Sequence, residues 1–415
     1  MPLLVAVALL FLGCKPQTQD QEVLRLQGET MGTYWQVSVA DPVDDQDALR
    51  GEIVQVLAEV NQEMSTYIAD SAISQFNQRQ STEPQTVSAA FIDNLLAAQT
   101  ISEQSDGVYD ITVAPLVNLW GFGPDAIDEA PSQAAIDAAL TNVGYQQLII
   151  DPQAMTLAKI NPSVMIDLSS IAKGYGVDAV ASRLSELGYQ HVLVDIGGEV
   201  LAVGQKFGEP WRIAVERPEE GQHVQQVIAL NDHDESQMAL ATSGNYRNYI
   251  DYDGARVAHT IDPRTGTSTQ SPLLSVSVMA SSCMYADGYA TALMALGAEA
   301  AEAFADKHNI AALFIYADPQ DKQAFVVKKV PLGRRRQENN MFNVFIVVFA
   351  FMFITVVIMA VGVLFNREPI RGSCGGLNNI GVERACGCKD VCEDKGTSLD
   401  DDEAGQAQAP ERYQP

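Results

Sequence analysis

Apolar and polar positions alternate between residues 23 and 40, where Val23, Leu24 and Leu26 lead on to Tyr34, Gln36, Val37 and Val39. A period of two marks a half-buried strand, and Gly32 between the two runs predicts strand, turn, strand. The period then changes. Leu49, Ile53, Val56, Leu57 and Val60 recur at three- and four-residue spacing and predict a helix over 46–63. Further helices are predicted over 89–105, ending at the Asp106-Gly107 turn signal, and over 131–142 after Pro131-Ser132. Leu148-Ile149-Ile150 and Met165-Ile166-Asp167 read as short buried strands. A helix over 174–187 is closed by Gly188 and followed by a strand over 191–196. Strands are predicted at 211–216, 226–230 and 273–279, helices at 286–296 and 299–308, and two last strands across 311–329. Helices and strands arrive in mixed order without a regular βαβ repeat, so the expected fold class is α+β rather than a doubly wound parallel sheet.

Two segments carry no amphipathic pattern. Residues 3–12 are apolar and end in Leu12-Gly13-Cys14, which reads as a lipoprotein-type signal over 1–14 with Cys14 as the lipidation site, or as an ordinary signal peptide. The run 341–365 contains no charged residue and is longer than the about 20 residues needed to cross a bilayer, so one transmembrane helix is expected there. A basic linker, 331–340, precedes it with Arg334-Arg335-Arg336, and Arg367 and Arg371 follow it. The flanking charges therefore balance, and orientation rests on the signal. The expected location is the inner membrane, with residues 23–330 periplasmic and the tail cytoplasmic.

Composition narrows the function. The 415 residues carry a formal charge of -27, which excludes a phosphate-backbone partner, so no nucleic acid is expected. Cys283 is alone in the large N-terminal region, so no disulfide framework is implied. Cys374, Cys386, Cys388 and Cys392 cluster beyond the apolar run. Four thiolates at that density suit iron, an iron–sulfur cluster or zinc, although the paired C-x₂-C arms of a zinc ribbon are missing. The acidic end, 396–415, reads as disordered.

Several short segments carry candidate chemistry. Asp287 and Thr291 lie four apart on a predicted helix, so a carboxylate and a hydroxyl share one face, hard oxygens of the kind Mg²⁺ takes. The same Asp also suits a helix-start role. His259-Thr260-Ile261-Asp262-Pro263-Arg264-Thr265-Gly266 packs imidazole, carboxylate and guanidinium into a turn. There His259 reads either as a general base or as a hydrogen-bonded structural residue. Asp167-Leu168-Ser169-Ser170-Ile171-Ala172-Lys173-Gly174 joins a strand to a helix start, where backbone N–H groups and Lys173 would face an anion. Asp195-Ile196-Gly197-Gly198-Glu199 is a turn that permits close backbone approach. Gly107-Val108-Tyr109-Asp110-Ile111-Thr112, with Trp120-Gly121-Phe122-Gly123, sets aromatics beside glycines, either a planar-ring pocket or a core corner.

Taken in order with Gly28-Glu29-Thr30-Met31-Gly32-Thr33, Met64-Ser65-Thr66-Tyr67, Ala241-Thr242-Ser243-Gly244 and Ala286-Asp287 to Thr291, these segments resemble the ApbE family of FAD:protein FMN transferases. The resemblance covers 23–330 and implies an ApbE-like, T-fold-related domain. It implies that Asp287, Thr291 and the Ser170 carbonyl hold Mg²⁺. It also implies that Met31, Tyr67, Gly107, Val108, Tyr109, Asp167, Lys173 and Ile261 line the FAD site, with His259 as the base. Asn245 stands where an acidic residue is also common in the family. The implied reaction moves FMN from FAD to a Thr or Ser hydroxyl of a target protein and releases AMP. The alternative is a membrane-tethered protein that binds or hydrolyses FAD without a protein acceptor. Beyond the apolar run, Gly372-Ser373-Cys374-Gly375-Gly376-Leu377 and the three later cysteines are similar to NqrM, and the match covers 366–395. That resemblance implies iron handling in maturation of the Na⁺-translocating NADH:quinone reductase, whose flavinylated subunits would be the acceptors.

Overall fold

Eight strands form one antiparallel sheet in which spatial order repeats chain order: Leu24–Thr30, Thr33–Val39, Val192–Ile196, Glu199–Val203, Gln237–Gly244, Leu273–Ala280, Ala311–Ala317 and Phe325–Val330. The computed structural model describes residues 22–330, apart from 124–126, 128, 220–222, 232–235, 246–248, 253–254, 270, 319 and 321–324, and beyond them only Phe349 and Met352. The chain divides into two units, 1–335 and 336–415, and the sheets and helices named below belong to the first. Among the described residues no helix is long and apolar enough to cross a membrane. The signal 1–14 with Cys14, the linker 331–340, the run 341–365 save those two residues, and the tail with its four cysteines lie outside the described residues.

Seven helices are described: α1 Gln46–Met64, α2 Ala72–Gln78, α3 Ala89–Gln104, α4 Ala114–Leu119, α5 Gln133–Leu140, α6 Ala172–Glu186 and α7 Cys283–His308. The α1 helix starts because Asp45 accepts from the Asp47 and Ala48 N–H groups, and its apolar stripe buries Leu49, Ile53 and Leu57. That stripe joins Val177, Val180 and Leu184 of α6 and Ala286, Ala290 and Leu293 of α7 against Val37, Val194, Leu201 and Val276 of the sheet. The opposite face of the sheet is covered by the hairpin Trp211–Glu216 and Val224–Leu230, through Trp211, Val215 and Leu230.

A second core packs α2 and α3 with a small sheet of Gln85–Thr86, Thr156–Lys159 and Leu148–Asp151. Lys159 is buried within it and donates to the carbonyls of Phe76 and Val164 at 3.1 and 2.9 Å, tying that sheet to α2 and to the segment that leads into α6. A third cluster joins Leu116 and Trp120 to Ile136 and Ile261.

Local departures from the periodicity have local causes. Residues 165–167 form no strand. The Asn77 side-chain amide donates to the Ile166 carbonyl and accepts from its N–H, both at 2.8 Å, and so takes the place of a neighbouring strand. Leu148–Asp151 is a strand, but one face is solvent-exposed and Ile149 is not buried. The last long helix begins earlier than its apolar pattern, at Cys283 after the Ser282 cap, and Gly297 at φ 74° breaks it where the sequence predicts two helices.

The α6–α7 crossing is a close approach of two helices. A Cβ on Gly174 would overlap the Cys283 carbonyl oxygen and lie 2.8 Å from Asp287 Cβ. Gly51, by contrast, is an exposed position on α1 with nothing near the site of a Cβ. Gly174→Ala is expected to cost about 2 kcal/mol or more by forcing the helices apart, and Gly51→Ala to stabilise by up to about 1 kcal/mol. Chemical denaturation midpoints of the two variants check this, and equal shifts in the same direction would contradict it.

Candidate active site

Where α6 and α7 cross, each helix lends a carboxylate to the opening turn of the other. Asp178 of α6 accepts from Ser282 Oγ at 2.7 Å and from the N–H groups of Cys283 and Met284 at 2.8 and 3.0 Å. In return, Asp287 Oδ2 on α7 accepts from the Gly174 N–H at 3.0 Å. Gly174 is the third residue of α6, so its N–H is one of the opening donors that find no acceptor within the helix, and the Asp287 carboxylate caps it. The Ser170 carbonyl lies just ahead of the helix, and among the described residues it accepts no hydrogen bond from the backbone.

Lys173 occupies the same corner. Its Nζ lies 2.8 Å from Glu199 Oε1 and 3.6 Å from Asp287 Oδ1. Glu199 follows the Gly197-Gly198 turn, with both glycines at positive φ, and opens the buried strand Glu199–Val203. Burial raises the carboxyl groups of both Glu199 and Asp287, and the Lys173 ammonium pulls each of them back. Burial also works to lower Lys173, but the two carboxylates more than offset it and hold the ammonium above the usual lysine range. The second oxygen of Glu199 is buried and has no hydrogen-bond partner among the described residues. Two carboxylates against one ammonium leave the corner one negative charge in excess.

The remaining groups surround this corner. Thr291 stands one helical turn beyond Asp287, and its hydroxyl lies 3.3 Å from Ser243 Oγ on the strand Gln237–Gly244. Ser170 Oγ donates to the buried Tyr109 hydroxyl at 2.9 Å, and burial raises that phenol well above its ordinary range. Tyr109 is itself fixed by its N–H on Ser105 Oγ at 3.1 Å, after Gly107 turns the chain at φ 75°. The Asp167 N–H donates to the Ile111 carbonyl at 2.7 Å, and its carboxylate accepts from the Ser169 N–H. Met31, at φ 50° in the first hairpin turn, reaches α6 at Gly176, where its methyl lies 3.0 Å from the site of a Cβ.

Contacts join Lys173 to Asp287 and Ser170 to Tyr109, while Ser170 stands three residues ahead of Lys173 and Thr291 one helical turn beyond Asp287. Three other expected residues stand on other elements. Tyr67 is 73% exposed on the loop between α1 and α2. Ile261 is buried in the Leu116–Trp120–Ile136 cluster. His259 is half-buried, with its ring 6.3 Å from Phe122 and edge-on to it. Asp262 and Arg264 beside it form a local bidentate pair at 3.0 and 2.8 Å, so these two charges serve the turn. The Trp120 indole donates to the Gly266 carbonyl at 2.7 Å and holds that turn in place.

Sequence reasoning missed Glu199, Asp178 and Cys283 as neighbours of the site. The signal for Glu199 lay in its position, because an acid directly ahead of Val200-Leu201-Ala202-Val203 must be buried with its strand. Asp178 likewise sits within the apolar run Val177 to Ala181.

The donor set suits a hard divalent cation. Among the described residues no three His, Cys, Asp or Glu side chains gather into a metal cage. Asp287 offers a carboxylate, Thr291 a hydroxyl and Ser170 a carbonyl, the hard oxygen types that Mg²⁺ takes when substrate phosphate and water complete its shell. The nearby ammonium and the opening turn of α6 complement a phosphate.

Comparison with known proteins agrees with this geometry. Residues 31–314 match the model of the ApbE family, and residues 363–404 match the model described as (Na+)-NQR maturation NqrM. The chain is 43% identical over 319 residues to the FAD:protein FMN transferase of Vibrio cholerae, covering 75% of this chain and 92% of that one. It is 41% identical over 334 residues to the enzyme of the same name from Haemophilus influenzae, covering 78% and 93%. The solved flavin transferase ApbE from Vibrio cholerae superposes with a TM-score of 0.67 at 40% identity, covering 75% of this chain and 98% of that one.

Proposed function

This chain belongs to the ApbE family and is an FAD:protein FMN transferase, and from that membership we propose a Mg²⁺-dependent transfer of FMN from FAD to a Thr or Ser hydroxyl of an acceptor protein. The observation that carries the proposal is the convergence of the buried Asp287 carboxylate with the Lys173 ammonium 3.6 Å away and with the opening turn of α6, whose Gly174 N–H that carboxylate accepts. Asp287, Thr291 and the Ser170 carbonyl would hold Mg²⁺. When bound, the ion neutralises pyrophosphate charge and stabilises the leaving AMP.

The chain's own residues do the rest. Lys173 offers a charged donor to the pyrophosphate, and the opening turn of α6 orients it. Met31, Tyr67, the backbone of Gly107, Val108 and Tyr109, Asp167 and Ile261 line the FAD site, with exposed Tyr67 free to lie along the flavin ring. His259 takes the proton of the acceptor hydroxyl. The acceptor oxygen bonds to the FMN phosphorus, the bond between the two phosphates breaks, and AMP leaves with its electron pair. Positioning and electrostatics supply most of the acceleration.

The C-terminal match supports a place for the chain in assembling the Na⁺-translocating NADH:quinone reductase. In this reading that reductase's subunits are the acceptors, and Cys374, Cys386, Cys388 and Cys392 handle iron for it. Residues 341–365 anchor the chain in the inner membrane, with the transferase periplasmic and Cys14 lipidated.

Co-expression with candidate reductase subunits tests the transfer. Asp287→Ala is expected to lower covalent flavin on the acceptor by at least about 100-fold, read as in-gel fluorescence and as an FMN-sized mass shift. Full labelling by this variant would remove Asp287 from the reaction, and no labelling by wild type would favour FAD binding or hydrolysis without an acceptor. His259→Ala is expected to slow transfer by roughly 10²-fold or more while FAD still binds, and an unchanged rate would remove it as base. For the tail, iron should copurify with the full chain and be lost in Cys386→Ser/Cys388→Ser, measured by elemental analysis; zinc at the same stoichiometry would refute the iron assignment.

A further inference from the structure

Glu199 has no part in the reading above, yet it makes the closest contact of Lys173. Its side chain is 6% exposed, against 29% for Lys173. One of its oxygens takes the ammonium at 2.8 Å and the other is buried without a partner among the described residues. The second carboxylate near Lys173, that of Asp287, is farther away at 3.6 Å. The two acids also differ in mounting. Asp287 projects from a helix. Glu199 is fixed by the sheet, with its own residue paired to Ile196 and the next, Val200, paired to both Asp195 and Leu240.

Consider what a divalent cation at Asp287 does to this arrangement. It takes up the charge of that carboxylate and sets new positive charge beside the Lys173 ammonium. Coulomb repulsion then favours a swing of the lysine side chain out of the site. Only a carboxylate that the cation does not use can hold the ammonium in place. We propose that Glu199 is that group: a positioning residue that keeps Lys173 aimed at the phosphates of FAD once a cation occupies Asp287. The proposal rests on the FAD-transfer reading of the site.

A double-mutant cycle read by FAD binding tests this on the full chain, with flavin fluorescence quenching in saturating Mg²⁺. Glu199→Gln is expected to weaken FAD about 10-fold, and Lys173→Met at least as much. The double variant should bind no more weakly than Lys173→Met alone, because Glu199 acts through Lys173. Calorimetric Mg²⁺ affinity without FAD should stay within about twofold of wild type in Glu199→Gln. Should Glu199→Gln fail to fold, Glu199→Asp, which keeps the charge on a shorter arm, carries the same cycle. An unchanged FAD affinity, or losses that multiply in the double variant, would overturn the proposal. So would a fall in Mg²⁺ affinity equal to that of Asp287→Asn, since Glu199 would then be a ligand. A wild type that binds no FAD would overturn the functional reading as well, whereas failure of FMN transfer alone leaves this test intact.

Discussion

The exchange of carboxylates between α6 and α7 is the constraint on which the corner depends. Asp178 and Asp287 are both largely withdrawn from water, and an isolated buried carboxylate would cost several kcal/mol. Each is accommodated because the other helix presents its opening N–H groups at hydrogen-bond distance. That requires close helix approach, and Gly174 permits it. The same bond satisfies an opening N–H that the helix itself leaves without an acceptor, so packing and chemistry follow from one contact. Remove the approach and the acid loses its partner and the lysine loses its second carboxylate.

Around that contact the fold divides labour by rigidity. Sheet strands carry Glu199 and Ser243, helices carry Lys173, Asp287 and Thr291, and the Leu116–Trp120–Ile136 cluster carries Ile261 in a turn braced by Trp120. The charges proposed to meet phosphate thus sit on a strand and on helices packed against the main sheet. The groups assigned to the flavin ring and to the acceptor sit on loops and turns, where one face stays accessible to a second protein.

Much of this was legible in the sequence because the periods are strong. The first hairpin, α1, α3 and α6 each follow a clean two- or 3.6-residue pattern. Strands buried on both faces were harder: Glu199–Val203 and Gln237–Gly244 lack alternation because helices cover one side and a hairpin the other. The segment 165–167 misled for a different reason. Its apolar residues are extended, but a side-chain amide rather than a strand satisfies them. In the site, Lys173, Asp287 and Thr291 were legible together with their chemistry. Glu199 stood in the Asp195-to-Glu199 motif only as part of a turn, because its contact with Lys173 joins residues close in space and distant in the chain.

The chain-ordered sheet has a consequence for how the molecule comes into being. Although its strands pair in sequence, Thr33–Val39 must wait for Val192–Ile196, and everything from α1 through the whole of α6 intervenes. Until then the opening hairpin shows a bare edge with Trp35, Val37 and Val39 beside it, the kind of surface that templates wrong pairing. Closing so large an excursion is entropically slow. The second core, with its own small sheet and buried Lys159, is local in sequence and able to collapse early, bringing α6 back toward the waiting edge. Assembly order, and not only final stability, thus turns on a lobe that carries little of the chemistry.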